Sequence, residues 1–387
     1  MQDILLEVLR AIARFFMNPI LYIATAMAIF IGYRRVKRER KQFHRRLLWG
    51  GSELKSFWRE GLLLGALISL LSVAVGMTVP VQWLILLAIF MCIGILLTSF
   101  MFGSAIYAIV VAFLALWMIE WQQWTFTMGT YTFEHVNVFG GTIVGVTLFA
   151  AAFLIAEGML IRRHSATRVS PILTKTKRGL PGIAYETKQF WLLPTLFVIP
   201  GDTISAMFPY WPQFSLGHTQ FELVLFPIVI GFQQFARQKL PQDVFPKLGK
   251  QVTLLGEMIM LIGLITVFFP QLGLLGIILA LVGRLFITWR IARQQNGDTY
   301  AVIPKKEGVV IAGVLADSPA EKMGLVTGEC IRKVNGQAVH TEEELYKALQ
   351  VNAAYCKLEV LNHDNEVRLT QHAVFIEDHY RIGLLLV

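Results

Sequence analysis

From Gly61 to Ile161 the chain contains no lysine and no arginine. This one gap restricts the fold more than any other feature. Soluble domains are about a quarter charged residues, so an apolar run of this length cannot be a water-exposed surface. It reads as a series of transmembrane helices, each needing about 20 residues to cross the bilayer. Over all 387 residues, 55% are hydrophobic and 16% charged, and the deficit of charge ends near residue 300. Residues 1–299 carry 26 Lys and Arg against 14 Asp and Glu, whereas residues 300–387 carry 9 against 12. The sequence therefore predicts a polytopic α-helical membrane domain, 1–299, followed by a small soluble domain, 300–387. The basic excess lies beside apolar spans, where topology explains it; nucleic acid is not implied.

Charge also orients the spans. Ile4–Phe16 is amphipathic, and Asn18-Pro19 then opens an apolar stretch, giving a first span at Phe15–Tyr33. Arg34-Arg35-Val36-Lys37-Arg38-Glu39-Arg40-Lys41 follows, and such a cluster marks a cytoplasmic loop. The amino terminus is then outside. Leu47–Glu60, with Trp49, Phe57 and Trp58, reads as a helix lying on the inner surface. The next basic clusters lie at 162–189 and 236–251, so three cytoplasmic loops are predicted: 34–59, 162–189 and 236–251. Eight further spans fit between and after them: Gly61–Val79, Val81–Met101, Ser104–Trp121, Val138–Ile161, Phe190–Phe208, Phe221–Phe235, Val252–Phe269 and Leu272–Trp289. About nine transmembrane helices result, with the soluble domain in the cytoplasm. The basic loops suit anionic lipid, although orientation of the helices alone accounts for such runs.

Few groups inside the spans can carry chemistry. The zinc motif H-E-x-x-H is absent, which removes the metalloprotease pattern. Ser104 follows Gly103, but no histidine falls in any predicted span, so this hydroxyl has no evident base. It reads as a small residue for helix approach. Gly201-Asp202 has part of an intramembrane aspartyl-protease pattern, with Ile199 where the first glycine should stand and no second aspartate in any span to complete a dyad; Asp202 reads as a cap on a helix broken at Pro200-Gly201. Glu257 and Arg284 lie at matching depths in an antiparallel hairpin and are expected to pair. Glu157 is expected to pair with Arg162, one turn away. A transporter would show several polar groups at mid-membrane and repeated broken helices, and no clear repeat is present. Cys92, Cys330 and Cys356 have no metal spacing and read as small buried residues. No cofactor and no metal are predicted, and the chain is read as non-enzymatic.

The soluble domain has sharper local signals. Its predicted elements are strand Gly308–Leu315, helix Pro319–Met323, strand Cys330–Val334, helix Glu342–Leu349, strands Tyr355–Leu361 and Glu366–His372, and a last strand Ile382–Val387. Asn335-Gly336 and Asp364-Asn365 are turn signals, and Thr341 with Glu344 has capping-box spacing. Ser318-Pro319-Ala320-Glu321-Lys322-Met323-Gly324-Leu325 between two apolar strands resembles a bacterial PDZ domain. That fold takes an extended peptide as an added strand. The usual carboxylate-binding loop is missing before Gly308, where Pro304-Lys305-Lys306-Glu307 stands. Tyr380-Arg381-Ile382-Gly383-Leu384-Leu385 has the expected pattern instead. The domain is therefore read as a circularly permuted PDZ-like fold, with a groove lined by Ile382, Gly383, Leu384, Leu385, Leu345 and Leu349. The alternative is a last strand that only closes the barrel.

The order of parts then resembles a known family. A first helix followed by Tyr33 and the basic run to Lys41, several further spans and a terminal PDZ domain are similar to the MinJ family of cell-division topological determinants. The resemblance covers nearly the whole chain. It implies a non-catalytic scaffold at division septa and cell poles. Its implied partners are a DivIVA-type protein and MinD, which carries MinC, together with other membrane proteins of the division machinery. A membrane protease component gated by the PDZ domain and a transporter with a regulatory domain are the competing readings.

Overall fold

The structure, a computed structural model, describes residues 2–44, 46–97, 103–128, 131–133, 136–175, 179, 181–205, 211–212, 216, 218, 220–297, 300–315, 317–352, 355–373 and 382–387. The end of the predicted span Val81–Met101, the end of Phe190–Phe208, part of the linker after Asn296, and Tyr380 with Arg381 lie outside those residues.

Helix α1 (Gln2–Met17) and helix α2 (Pro19–Phe43) are separate. Asn18 accepts from the Ile20 amide at 3.0 Å, and Pro19 sits at the first helical position, where its missing N–H is no loss. The first span thus starts at Pro19 rather than Phe15. It also runs on: α2 continues through the whole basic run to Phe43, so what reads as a loop is a helical extension. Helix α3 (Ser52–Arg59) does not lie free on a surface. Phe57 is fully buried, and α3 packs on α2 and leads into α4 (Leu62–Val75). Helices α5 (Val81–Leu96), α6 (Ala105–Trp121), α7 (Ile143–His164) and α9 (Leu272–Gln294) fall on predicted spans, but α8 (Pro241–Thr266) begins eleven residues before the predicted Val252, so most of the predicted loop 236–251 is helical. A short hairpin, β1 (Phe126–Met128) with β2 (Tyr131–Phe133), lies between α6 and α7. Among the described residues, five helical stretches are long and apolar enough to cross a membrane, and α5 and α6 are shorter apolar helices.

Two predicted helices are not helices. The described part of Phe190–Phe208 and all of Phe221–Phe235 fall in β4 (Pro181–Ser205) and β5 (Gln220–Ala236), a long antiparallel hairpin flanked at its root by β3 (Ser170–Lys175). The residues explain the difference. Proline inside a helix removes a hydrogen bond and clashes with the preceding turn, and Pro194, Pro200 and Pro227 fall within these runs. Phe, Val, Ile, Trp and Thr make up much of the rest, and these suit a pleated, packed strand. The hairpin is enclosed by helices, with Trp191, Leu192, Leu193, Phe197, Ile228 and Ile230 at 0% exposure.

An open two-stranded ribbon in an apolar layer leaves its outward N–H and C=O groups without water, and this backbone is tolerated only where protein covers it. Here several of the outward groups have individual partners. Leu196 N donates to Ser69 Oγ at 2.8 Å, and Val198 O accepts from Val79 N at 3.0 Å. On the other strand Leu223 N reaches Glu7 Oε1 at 3.4 Å, Val229 N reaches Met91 Sδ at 3.4 Å, and Gly231 N reaches Gly103 O at 2.6 Å. Pro194 lies opposite Pro227 in the same alternation. Two positions that would aim an amide outward therefore have no amide to satisfy. Close approach needs small residues: a Cβ on Gly65 of α4 would stand 2.7 Å from Pro194 O, and one on Gly103 would stand 2.8 Å from the Gly231 backbone.

The carboxyl-terminal domain agrees with the sequence reading almost element for element. Strands β6 (Val309–Val314), β7 (Cys330–Val334), β8 (Gln337–Ala338), β9 (Tyr355–Leu361), β10 (Val367–Ala373) and β11 (Leu384–Leu386) surround helices α10 (Pro319–Lys322) and α11 (Glu342–Gln350). The sheet order is β10-β9-β7-β6-β11, with β8 beside β7. Ser318 Oγ accepts from Glu321 N at 3.3 Å, and Thr341 Oγ1 accepts from Glu344 N at 3.2 Å, so both helices start at side-chain caps.

Candidate functional site

The last strand and the second helix of the carboxyl-terminal domain meet as the sequence suggests, but not as an open trough. Leu345, Leu349, Ile382 and Leu384 share one hydrophobic core and are each at most 5% exposed. Leu385 points the other way, as strand alternation requires, and joins the apolar cluster of the membrane body. Strand β11 pairs antiparallel with β6, Leu384 opposite Val314 and Leu385 opposite Gly313. It lies at the sheet edge, with β6 as its one strand neighbour among the described residues. Gly383 just before it is held at φ 86°, a conformation that favours glycine. A Cβ there would stand 2.1 Å from Ser318 Cβ. The carbonyls of Gly383 and Ile382 accept from Leu315 N at 2.8 Å and Ala320 N at 2.9 Å. The strand is thus fastened to the turn that opens α10.

The domain is docked on the membrane body rather than hung from it, and sequence reasoning missed this. Val310, Ala312, Cys330, Leu361 and Leu385 belong to the same apolar cluster as the helices. The buried Tyr185 hydroxyl donates to Ala312 O at 2.9 Å, and Leu47, between α2 and α3, packs over Gly313. The linker is tied to the hairpin root: Ile183 N donates to Val302 O at 3.0 Å and Ala301 N to Arg237 O at 2.7 Å. Gln295 Oε1 accepts from the amides of Arg237 and Gln238 at 2.9 and 3.0 Å. Tyr185 falls in the segment 162–189 that the sequence assigns to a cytoplasmic loop, so its burial is visible only in the fold. Burial pushes the Cys330 thiol up, and Cys356 up to about 12.

The intramembrane charges are arranged differently from the sequence expectation. Arg284 pairs with Glu157, not with Glu257: Nη2 and Nε lie 2.6 and 2.9 Å from Glu157 Oε1. Glu257 is exposed on α8; the side chains of that helix that pack on α9 include Leu255 against Gly283 and Ile262 against Gly276. Glu157 therefore does not pair with Arg162. Ser104 donates its hydroxyl to Glu157 as well, and Arg284 also reaches Thr288. This cluster joins α6, α7 and α9, and it occupies Ser104 as a structural donor. Asp202 caps no helix. It is exposed, at a β-bulge between Pro200 and Ile204. At that end of the hairpin Arg14 pairs with Glu222 at 2.9 Å and with Glu7 at 3.3 Å, fixing α1 to β5. Among the described residues, no three His, Cys, Asp or Glu side chains gather to hold a metal ion.

Comparison with known proteins covers both parts. Residues 310–361 match the PDZ domain family. The cell division topological determinant MinJ of Bacillus subtilis (strain 168) is 28% identical over 382 residues, 99% of this chain and 95% of that protein. The probable cell division topological determinant MinJ of Lacticaseibacillus paracasei is 21% identical over 377 residues, 95% of this chain and 96% of that protein. From end to end the chain is similar to MinJ-type cell division topological determinants, and it carries a PDZ domain at its carboxyl end.

Proposed function

We propose that this chain is a non-catalytic membrane scaffold for division-site placement. It bridges a DivIVA-type protein at septa and poles to MinD with MinC, and so restricts division near those places. The observation that carries this reading is similarity to MinJ of Bacillus subtilis over 99% of the chain, membrane body and PDZ domain together. The positive-inside rule supports a cytoplasmic PDZ domain, since the domain docks at the basic end beside Arg237. The parity of the crossings supports it too, because the β-hairpin leaves and returns as two helices would. Placing Ser104 and Glu157 in one ion-pair cluster supports a structural role for the serine. Confinement at the membrane raises the effective concentration of a weak peptide reader.

The peptide-receiving element in this reading is the edge of β11, in a permuted PDZ arrangement, by strand addition. Gly383→Glu is not a clean probe of it, since the φ of 86° and the Ser318 contact make any side chain disruptive. The deciding experiment is in cells. A fluorescent fusion of the full chain is expected at septa and poles, dispersed when the DivIVA-type protein is removed, with minicells appearing when this chain is deleted. Uniform membrane label with normal division would refute the scaffold. Ser104→Ala and Asp202→Ala are expected to retain division-site control; loss of control in a stably expressed variant would favour catalysis.

A further inference from the structure

At the basic end of the body a cavity of about 930 Å³ opens between α2, α3 and the roots of β3, β4 and β5. Its lining changes along α2, from Phe30 and Ile31 to Arg34, Lys37 and Lys41. At 1.5 Å per residue that change takes roughly 16 Å. Phe190 extends the apolar end from the hairpin, and Arg38 and Lys188 extend the basic end.

The positive charge is not balanced from within. The cavity's two carboxylates are Glu53 and Glu186. Glu53 is taken by Arg35, which is also bound to Glu39 at 3.0 Å. Glu186 is taken by Arg38 and by Gln233 at 2.7 Å. Arg168, also in the wall, pairs with Glu60 at 2.6 Å. Arg34, Lys37 and Lys41 are exposed and make no ion pair among the described residues; Arg34 lies over the Phe30 ring, 5.6 Å from its centroid. Burial pushes the Lys188 ammonium down, and Arg34 and Arg38 push it further while Glu186 opposes them. A cleft lined by one sign of charge concentrates counter-ions. One ending in exposed aromatic surface at a helix's membrane boundary fits a ligand with a charged head and an apolar tail.

We propose that this cavity is a headgroup site for an anionic phospholipid. The phosphate sits among Arg34, Lys37 and Lys41, and the acyl chains run past Phe30, Ile31 and Phe190 toward the bilayer. The apolar end argues against an acidic peptide, which would leave the exposed rings of Phe30 and Tyr33 uncovered.

The test uses the purified full chain in neutral detergent, titrated with phosphatidylglycerol, phosphatidylcholine, inorganic phosphate or a polyglutamate peptide. Bound lipid is read by native mass spectrometry and by thermal stability. Phosphatidylglycerol is expected to bind and to raise the melting temperature, and the other three to do neither. Each cation facing an anionic headgroup contributes about fivefold in affinity, so Arg34→Gln/Lys37→Gln/Lys41→Gln should weaken binding by about a hundredfold. The control Lys247→Gln/Lys250→Gln/Arg290→Gln removes as much exposed basic charge elsewhere and should leave binding within about twofold. Equal loss in the control means general surface attraction and overturns the site. Equal binding of phosphatidylcholine, or displacement by phosphate or polyglutamate, overturns the lipid assignment. If the triple variant fails to fold, Lys37→Gln is measured instead; about fivefold weakening is expected, and unchanged affinity refutes the proposal.

Discussion

The Glu157–Arg284 pair gives the most direct test of the helix packing. Both side chains are buried, Glu157 at 1% and Arg284 at 2% exposure, and three helices contribute to the cluster. Glu157→Gln keeps an acceptor for Ser104 but leaves the Arg284 guanidinium buried without a countercharge. Removing one partner of a buried pair costs about 3–5 kcal/mol. Arg284→Met strands the Glu157 carboxylate and should cost about the same. The double variant Glu157→Leu/Arg284→Met removes both charges and fills the space with apolar atoms, so it should cost less than either single change. Glu257, exposed on α8, should tolerate Glu257→Gln within about 0.5 kcal/mol. Unfolding in mixed micelles, followed by tryptophan fluorescence as denaturing detergent is added, measures all four. A Glu257→Gln cost equal to that of Glu157→Gln would restore the hairpin pairing expected from depth alone. A double variant costing more than either single change would mean that the two charges do not compensate each other.

Other expectations follow from the hairpin and the docked domain. Pro227→Ala places an N–H at an outward position of β5 and relaxes the unfolded chain, so it should destabilise by about 1–3 kcal/mol; the same unfolding assay with no loss of stability would contradict the strand register. Gly65→Ala meets Pro194 O at 2.7 Å and should cost about 1–3 kcal/mol through overpacking, whereas Gly94→Ala, with nothing within 4 Å, should not. Tyr185→Phe leaves Ala312 O without its 2.9 Å donor and should cost about 1 kcal/mol; limited proteolysis in the linker is expected to speed up, and unchanged cleavage would count against docking. With its pKa pushed up to about 12, the Cys356 thiol at pH 8 is thiolate in only about one molecule in ten thousand. Burial acts in the same direction on Cys330. Both should resist maleimide until the protein is unfolded, and rapid native labelling of either would show that the domain opens.

Local signals were legible in the sequence wherever the physics is short-range. Hydropathy separates residues 1–299 from 300–387, because the solvent around each segment acts on that segment alone. The helices of the PDZ domain are marked by caps, as at Ser318 and Thr341, whose partners lie only three residues away. The basic run after Tyr33 was visible too, although its helical continuation to Phe43 was not. What only the tertiary structure decided depends on residues far apart in the chain. Strings such as Phe190–Ile199 are apolar enough to read as helices, and Pro194 and Pro227 mark strands only once the register sets them opposite each other. Depth along the chain suggested Glu257 for Arg284, but helix rotation selected Glu157. The basic cavity likewise exists because α2, α3 and the hairpin root meet, and three-dimensional packing determines which of its cations are already neutralised.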